Sequence, residues 1–158
     1  MSIKTRFITR SALIAAIYAA LTLIIRPLSY GPVQFRFSEV LVALPVLMPE
    51  AIPGLTIGCL IANVLSHYGI YDMIFGTLAT LVAAILTYLM RKKIYLAAAP
   101  PVILNALVVP LIFILSGSAG FSAYLINFIN IFISEAVIVY ALAIPLTLLL
   151  KKKPGLYL

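Results

Sequence analysis

Apolar residues fall in six blocks along this chain, at residues 7–25, 38–48, 51–66, 71–90, 94–115 and 123–150. None of the blocks alternates polar and apolar positions as a membrane β-barrel strand would, so the pattern predicts six helices, numbered here in chain order. A crossing of the bilayer core takes about 20 residues, which most of the blocks can supply. The second block is short, holds Pro45 and is followed by "MPEAIPG", which reads as a sharp turn into helix three. Residues 94–134 carry no charge, too long a stretch for one crossing, and "SGSAG" at 116–120 is the natural break between helices five and six.

Composition turns these helices into transmembrane ones. Of the 158 residues 65% are hydrophobic and 9% charged, with a mean hydropathy of +1.22, whereas a soluble domain is about 25% charged. The expected fold is therefore an all-α integral membrane protein, a single embedded domain spanning residues 1–158. Lys4, Arg6 and Arg10, "RKK" at 91–93 and "KKK" at 151–153 account for nine of the eleven basic residues. These clusters share one side of the membrane only if an even number of crossings separates them. Six helices with both termini cytoplasmic satisfy that condition and the tendency of basic loops to stay inside. The net charge of +7 is then explained by topology and contact with membrane lipid, which leaves no basic patch for nucleic acid. A secretory signal is disfavoured because no small-x-small cleavage site follows the first apolar block. The single Cys59 has no partner for a disulfide inside the chain and reads as a packing residue of helix three.

Two basic residues, Arg26 and Arg36, fall outside these clusters, in the stretch "IIRPLSYGPVQFRFSEVLVALP" between helices one and two. Topology makes that loop extracellular, so something local must favour them. Arg26 ends helix one and can snorkel to the headgroups. Arg36 lies three residues before Glu39, so the two can pair on one helical face or meet a ligand. Other polar residues gather at the same depth: Asn63 and His67 at the end of helix three, Asp72 at the start of helix four, Asn127 and Asn130 early in helix six. Asn105 and Glu135 lie deeper. A charge in hydrocarbon costs about 2.5–3.5 kcal/mol and needs a partner, so these residues either cross-link the bundle or line an outward-facing pocket.

Catalysis finds no support, since no nucleophilic triad, metal-spaced His/Cys set, phosphate loop or Walker motif is present, and no metal or cofactor is called for. A polar pocket in a small bundle without an energy source suits a binding or transport subunit. Ala12, Ala16 and Ala20 form one stripe on helix one and Ala15 and Ala19 an adjacent one. Small residues four apart let another helix approach closely, and the first stripe is read as the docking face for a partner protein. Gly54, Gly58 and Ala62 in helix three suit internal packing.

"VQFRFSEVLVALP", "AIPGLTIGCLIANVLS", "YDMIFGTLATLVAAILTY" and "PPVILNALVVPL" resemble the substrate-binding S components of energy-coupling factor (ECF) transporters, specifically the queuosine-precursor transporter family, over about residues 8–150. The resemblance implies six helices, an extracellular first loop that caps the ligand, and a first helix that docks on a transmembrane coupling subunit served by two ATPase subunits. It also implies a 7-deazaguanine ligand such as preQ1, preQ0 or queuine. For that ligand Glu39 or Asp72 could accept the paired N–H groups, with Arg36 orienting Glu39, while Asn63, Asn105 or Gln34 donate to the carbonyl and ring nitrogen. Tyr30, Tyr71, Phe35 or Phe37 could stack on the ring, and His67 and Asn127 complete the candidate set. The alternatives are an S component for another vitamin-like molecule, a solitary carrier using Glu135 as a proton site, and a structural subunit without ligand.

Overall fold

Ser2 caps helix one, its hydroxyl oxygen accepting the Thr5 N–H at 3.2 Å, and the helix then runs unbroken over Ile3–Ile24. The structure is a computed structural model that describes residues 2–25 and 35–153; Tyr30, Gln34 and Arg26 lie outside the described residues. The remaining helices are three (Ala51–Val64), four (Gly69–Leu89), five (Ile94–Leu115) and six (Phe121–Lys151). Helices one, four, five and six are long and apolar enough to cross a membrane. Leu13, Ile17, Ile57, Leu78, Leu111 and Phe132 stand exposed around the bundle, as lipid-facing residues do. The protein is a multi-pass membrane protein.

Helix two departs from the expected α-helix over 38–48. It is two 3-10 turns, Phe37–Leu41 and Leu44–Val46, held by backbone bonds such as Glu39 N–H to Arg36 C=O at 3.0 Å and Val46 N–H to Ala43 C=O at 3.1 Å. Pro45 disfavours the α conformation in the residue before it, and the β-branched Val40, Val42 and Val46 weaken helix propensity around it. Tighter winding rises about 2.0 Å per residue, so this short stretch reaches as far along the bundle as a longer α-helix would. Such backbone is tolerated at membrane depth only where protein surrounds it. Accordingly Ser38, Glu39, Leu41, Val42, Ala43 and Leu44 are all buried, and the segment runs through the centre of the bundle against helices one, three, four and six.

Around that segment the helices pack in the order one–three–four–five–six. The first contact is the tightest. A Cβ on Gly54 would come 2.8 Å from Ile14 Cβ, and one on Gly58 would come 2.7 Å from the Ala15 carbonyl oxygen. Ala15 and Ala19 are buried in this seam, whereas Ala12, Ala16 and Ala20 are exposed. The expected break at 116–120 is present, with Gly117 at φ 74° reversing the chain after Leu115. Arg10 pairs with Glu50 at 3.3 Å, and Leu150 packs on the cluster that also receives Met48 and Ile52. The start of helix one, the start of helix three and the end of helix six thus lie at one end of the bundle, the end rich in basic residues.

Candidate functional site

At the opposite end, helix two, helix three and helix four contribute to one buried polar cluster. Arg36 Nη2 lies 3.3 Å from Asp72 Oδ2, and both side chains are almost completely buried. Ser66 donates its hydroxyl to the same oxygen at 2.6 Å. Asn63 Nδ2 donates to the Asp72 carbonyl at 3.0 Å and to Cys59 Sγ at 3.3 Å. Asp72 opens a single π-helical turn, Asp72–Gly76, inside helix four, a local widening that recurs at functional sites. Gly76 makes room for it, since a Cβ there would stand 2.5 Å from Asp72 Oδ1 and 3.0 Å from Asn63 Nδ2. Two acceptors, Asn63 Oδ1 and Asp72 Oδ1, are buried without a hydrogen-bond partner among the described residues. Buried polar atoms are normally paired, so each of these is an open acceptor at the cost of about 1–3 kcal/mol.

Deeper in the bundle lies a second set. Tyr18 donates its hydroxyl to Glu39 Oε1 at 2.6 Å, and Thr22 on the next turn of helix one donates to Ser38 at 2.8 Å. Asn105 Nδ2 donates to Glu135 Oε1 at 3.1 Å, joining helices five and six, while Glu135 Oε2 has no partner among the described residues. Glu39, Thr80 and Asn105 line a small cavity between them, with room for about one water molecule. Arg36 is thus a buried cation amid three buried acids, Glu39, Asp72 and Glu135.

The structure distributes the sequence-stated candidates unevenly. Arg36, Asn63 and Asp72 come together, and Glu39 and Asn105 meet at the small cavity. Beyond the expected pairing of Arg36 with Glu39, each has a partner on another helix: Arg36 is anchored by Asp72, and Glu39 by Tyr18. Arg36 precedes the first 3-10 turn in extended backbone (φ −88°, ψ 99°) while Glu39 lies inside that turn, so the two side chains reach different helices. His67 lies exposed in the turn after helix three, Tyr71 is 38% exposed at the start of helix four, and Asn127 is half-buried. Cys59 is buried as expected but also accepts from Asn63 and Thr80. Tyr18, Ser66 and Thr80 escaped the sequence reading. Tyr18 and Thr22, four residues apart in the otherwise aliphatic second half of helix one, were the available signal for the first.

Comparison with known proteins agrees with this picture. The family model of the QueT transporter matches residues 8–152. A protein of Lactococcus lactis subsp. cremoris (strain MG1363), described as queuosine precursor transporter QueT, is 43% identical over 81 residues, covering 50% of this chain and 47% of that protein. The chain therefore spans about half the length of the curated relative it matches. No solved structure matches the chain. A transporter family accords with the lack of catalytic motifs, and a match that runs from helix one to the end of helix six leaves one conclusion: the chain belongs to the QueT transporter family.

Proposed function

We propose that the protein is the substrate-binding S component of an ECF importer, which captures a 7-deazaguanine queuosine precursor outside the cell and releases it inward when ATPase subunits act through a transmembrane coupling subunit. The observation that carries this reading is the pair of open acceptors, Asn63 Oδ1 and Asp72 Oδ1, beside the buried Arg36. A guanine-like edge presents an N–H and an exocyclic amine as donors, which is what two unfilled acceptors require. The positive-inside rule puts this cluster at the extracellular end, next to the loop that joins helices one and two. The cavity beside Glu39 has room for about one water molecule, far less than a bicyclic base needs. Binding there consequently demands that the outer ends of the helices part, and the Arg36–Asp72 bond is the tie across which they would part. Ala12, Ala16 and Ala20, exposed on helix one, are assigned to docking on the coupling subunit.

Calorimetric titration of the purified protein with 7-deazaguanines, alongside mass spectrometry of any co-purifying compound, tests the assignment. Saturable binding of one of these bases supports it. Absence of binding by all of them, with an unrelated small molecule retained, overturns it.

A solitary ion-coupled carrier is the second reading, and it is the unpartnered Glu135 Oε2, buried at mid-bundle, that favours it. Uptake measured in cells lacking the coupling subunit separates the two: persistence selects the solitary carrier, and loss selects the S component.

A further inference from the structure

At the basic end of the bundle, helix one and the turn that leads into helix three form an open cavity of about 400 Å³. Its lining divides by chemistry. Ile3, Phe7, Leu47 and Met48 form an apolar wall, while Arg6 and Arg10 bring positive charge. Arg10 is bonded to Glu50 at 3.3 Å, and this half-buried pair closes one side of the cavity. The other acids of the chain, Glu39, Asp72 and Glu135, are all buried within the helical bundle. Glu50 being taken by Arg10, no side-chain carboxylate among the described residues is left for Arg6, which stands exposed beside Ile3 and Phe7, themselves 89% and 41% exposed.

A cation without a counter-charge next to an exposed apolar wall, at the membrane boundary of a bundle, complements a molecule that is anionic at one end and hydrocarbon at the other. We propose that this cavity is a binding site for a single anionic phospholipid, whose phosphate is held by Arg6 with support from Arg10 and whose first acyl carbons lie along Ile3 and Phe7. Basic pockets between membrane helices hold acidic headgroups in this way. A soluble anion would use the arginine and leave the apolar wall wet, whereas a lipid covers both. Bound there, the lipid bridges the start of helix one to the turn before helix three and seats the helix that carries the exposed alanine stripe. The site involves none of the buried polar cluster and stands independently of the ligand assigned to it.

The experiment uses the delipidated full chain in detergent, with native mass spectrometry to count retained lipid and thermal unfolding to read stabilisation. The probes are phosphatidylglycerol, phosphatidylcholine of matched acyl chains, and glycerol phosphate. Phosphatidylglycerol is expected to be retained and to raise the unfolding temperature more than phosphatidylcholine. Arg6→Gln should weaken that retention about fivefold, the equivalent of roughly 1 kcal/mol for one basic residue at an acidic surface. Arg6→Lys should restore most of it, and Lys4→Gln, which removes a charge of the same helix outside the cavity lining, should leave it in place. Equal retention of the two lipids overturns the proposal. An equal loss in Lys4→Gln reduces the effect to general surface attraction and overturns the site, and a full shift with glycerol phosphate overturns the lipid.

Discussion

Arg36 and Asp72, thirty-six residues apart in the chain, meet at 3.3 Å and join the 3-10 segment of helix two to the π turn of helix four. Both elements are irregular where they meet, and both are buried. The bond sits between the end of the bundle opposite the basic one and the deeper set formed by Tyr18, Glu39, Asn105 and Glu135.

Removing one partner of a buried ion pair leaves the other uncompensated, which costs about 3–5 kcal/mol. Asp72→Asn is accordingly expected to lower the unfolding temperature in detergent sharply, and Arg36→Gln likewise. Combining the two should cost less than the sum of the single changes, because neither group is then orphaned. Additive losses would show that the contact at 3.3 Å carries little energy.

The ligand-reading role of the acids makes a separate forecast. Glu39→Gln and Asp72→Asn each keep shape but place a donor where an acceptor stood. For an acid that accepts from the ligand, affinity should fall at least about tenfold, the equivalent of roughly 1.4 kcal/mol. Tyr18→Phe serves as the comparison, since it deletes the 2.6 Å bond to Glu39 while leaving the carboxylate free to accept from a ligand. It should reduce stability more than affinity. Unchanged affinity in both acid variants, measured by titration calorimetry, removes the proposed pocket.

Helix one offers a paired test of its two alanine stripes. Ala16 is exposed, so Ala16→Leu should alter thermal stability by no more than about 0.5 kcal/mol, yet block close approach of a coupling-subunit helix and reduce the yield of complex. Ala15 lies in the seam with helix three, where its carbonyl oxygen would stand 2.7 Å from any Cβ on Gly58. Ala15→Leu should therefore destabilise the isolated protein by about 1–3 kcal/mol, the usual cost of overpacking. Normal complex yield with Ala16→Leu would reassign the docking face.

Gly76 is expected to resist even the smallest substitution. In Gly76→Ala the new methyl would meet Asp72 Oδ1 at 2.5 Å and Asn63 Nδ2 at 3.0 Å, so the carboxylate must turn away. Both stability and ligand binding should suffer, whereas Gly120→Ala, with only Ser122 Oγ near at 3.7 Å, should do neither. Binding by Gly76→Ala at the affinity of the unaltered protein would detach the π turn from the site.

What the sequence determined by itself was set by terms that act residue by residue. Transfer of each apolar side chain to lipid is a local and additive quantity, so the blocks of hydrophobicity gave the number and position of the segments, and the turn into helix three and the break at 116–120 were readable from proline and glycine. The excess of apolar over charged residues likewise sufficed for a membrane protein, and "QFRFSE" and "IGCLIAN" sufficed for the family. The tertiary structure decided what depends on how the segments dock. From Ala12 on, helix one is so largely apolar that hydrophobicity does not distinguish Ala12, Ala16 and Ala20 from Ala15 and Ala19; the approach of Gly54 and Gly58 selects the inward stripe. Helix two is too weak a helix to fix its own winding, and the surrounding bundle, by burying it, allows the 3-10 form in which Glu39 reaches Tyr18, with Arg36 in extended backbone before it reaching Asp72. In lipid a buried charge must find its partner wherever packing places one, and that partner lay on a different helix, at a sequence distance that no local spacing rule spans.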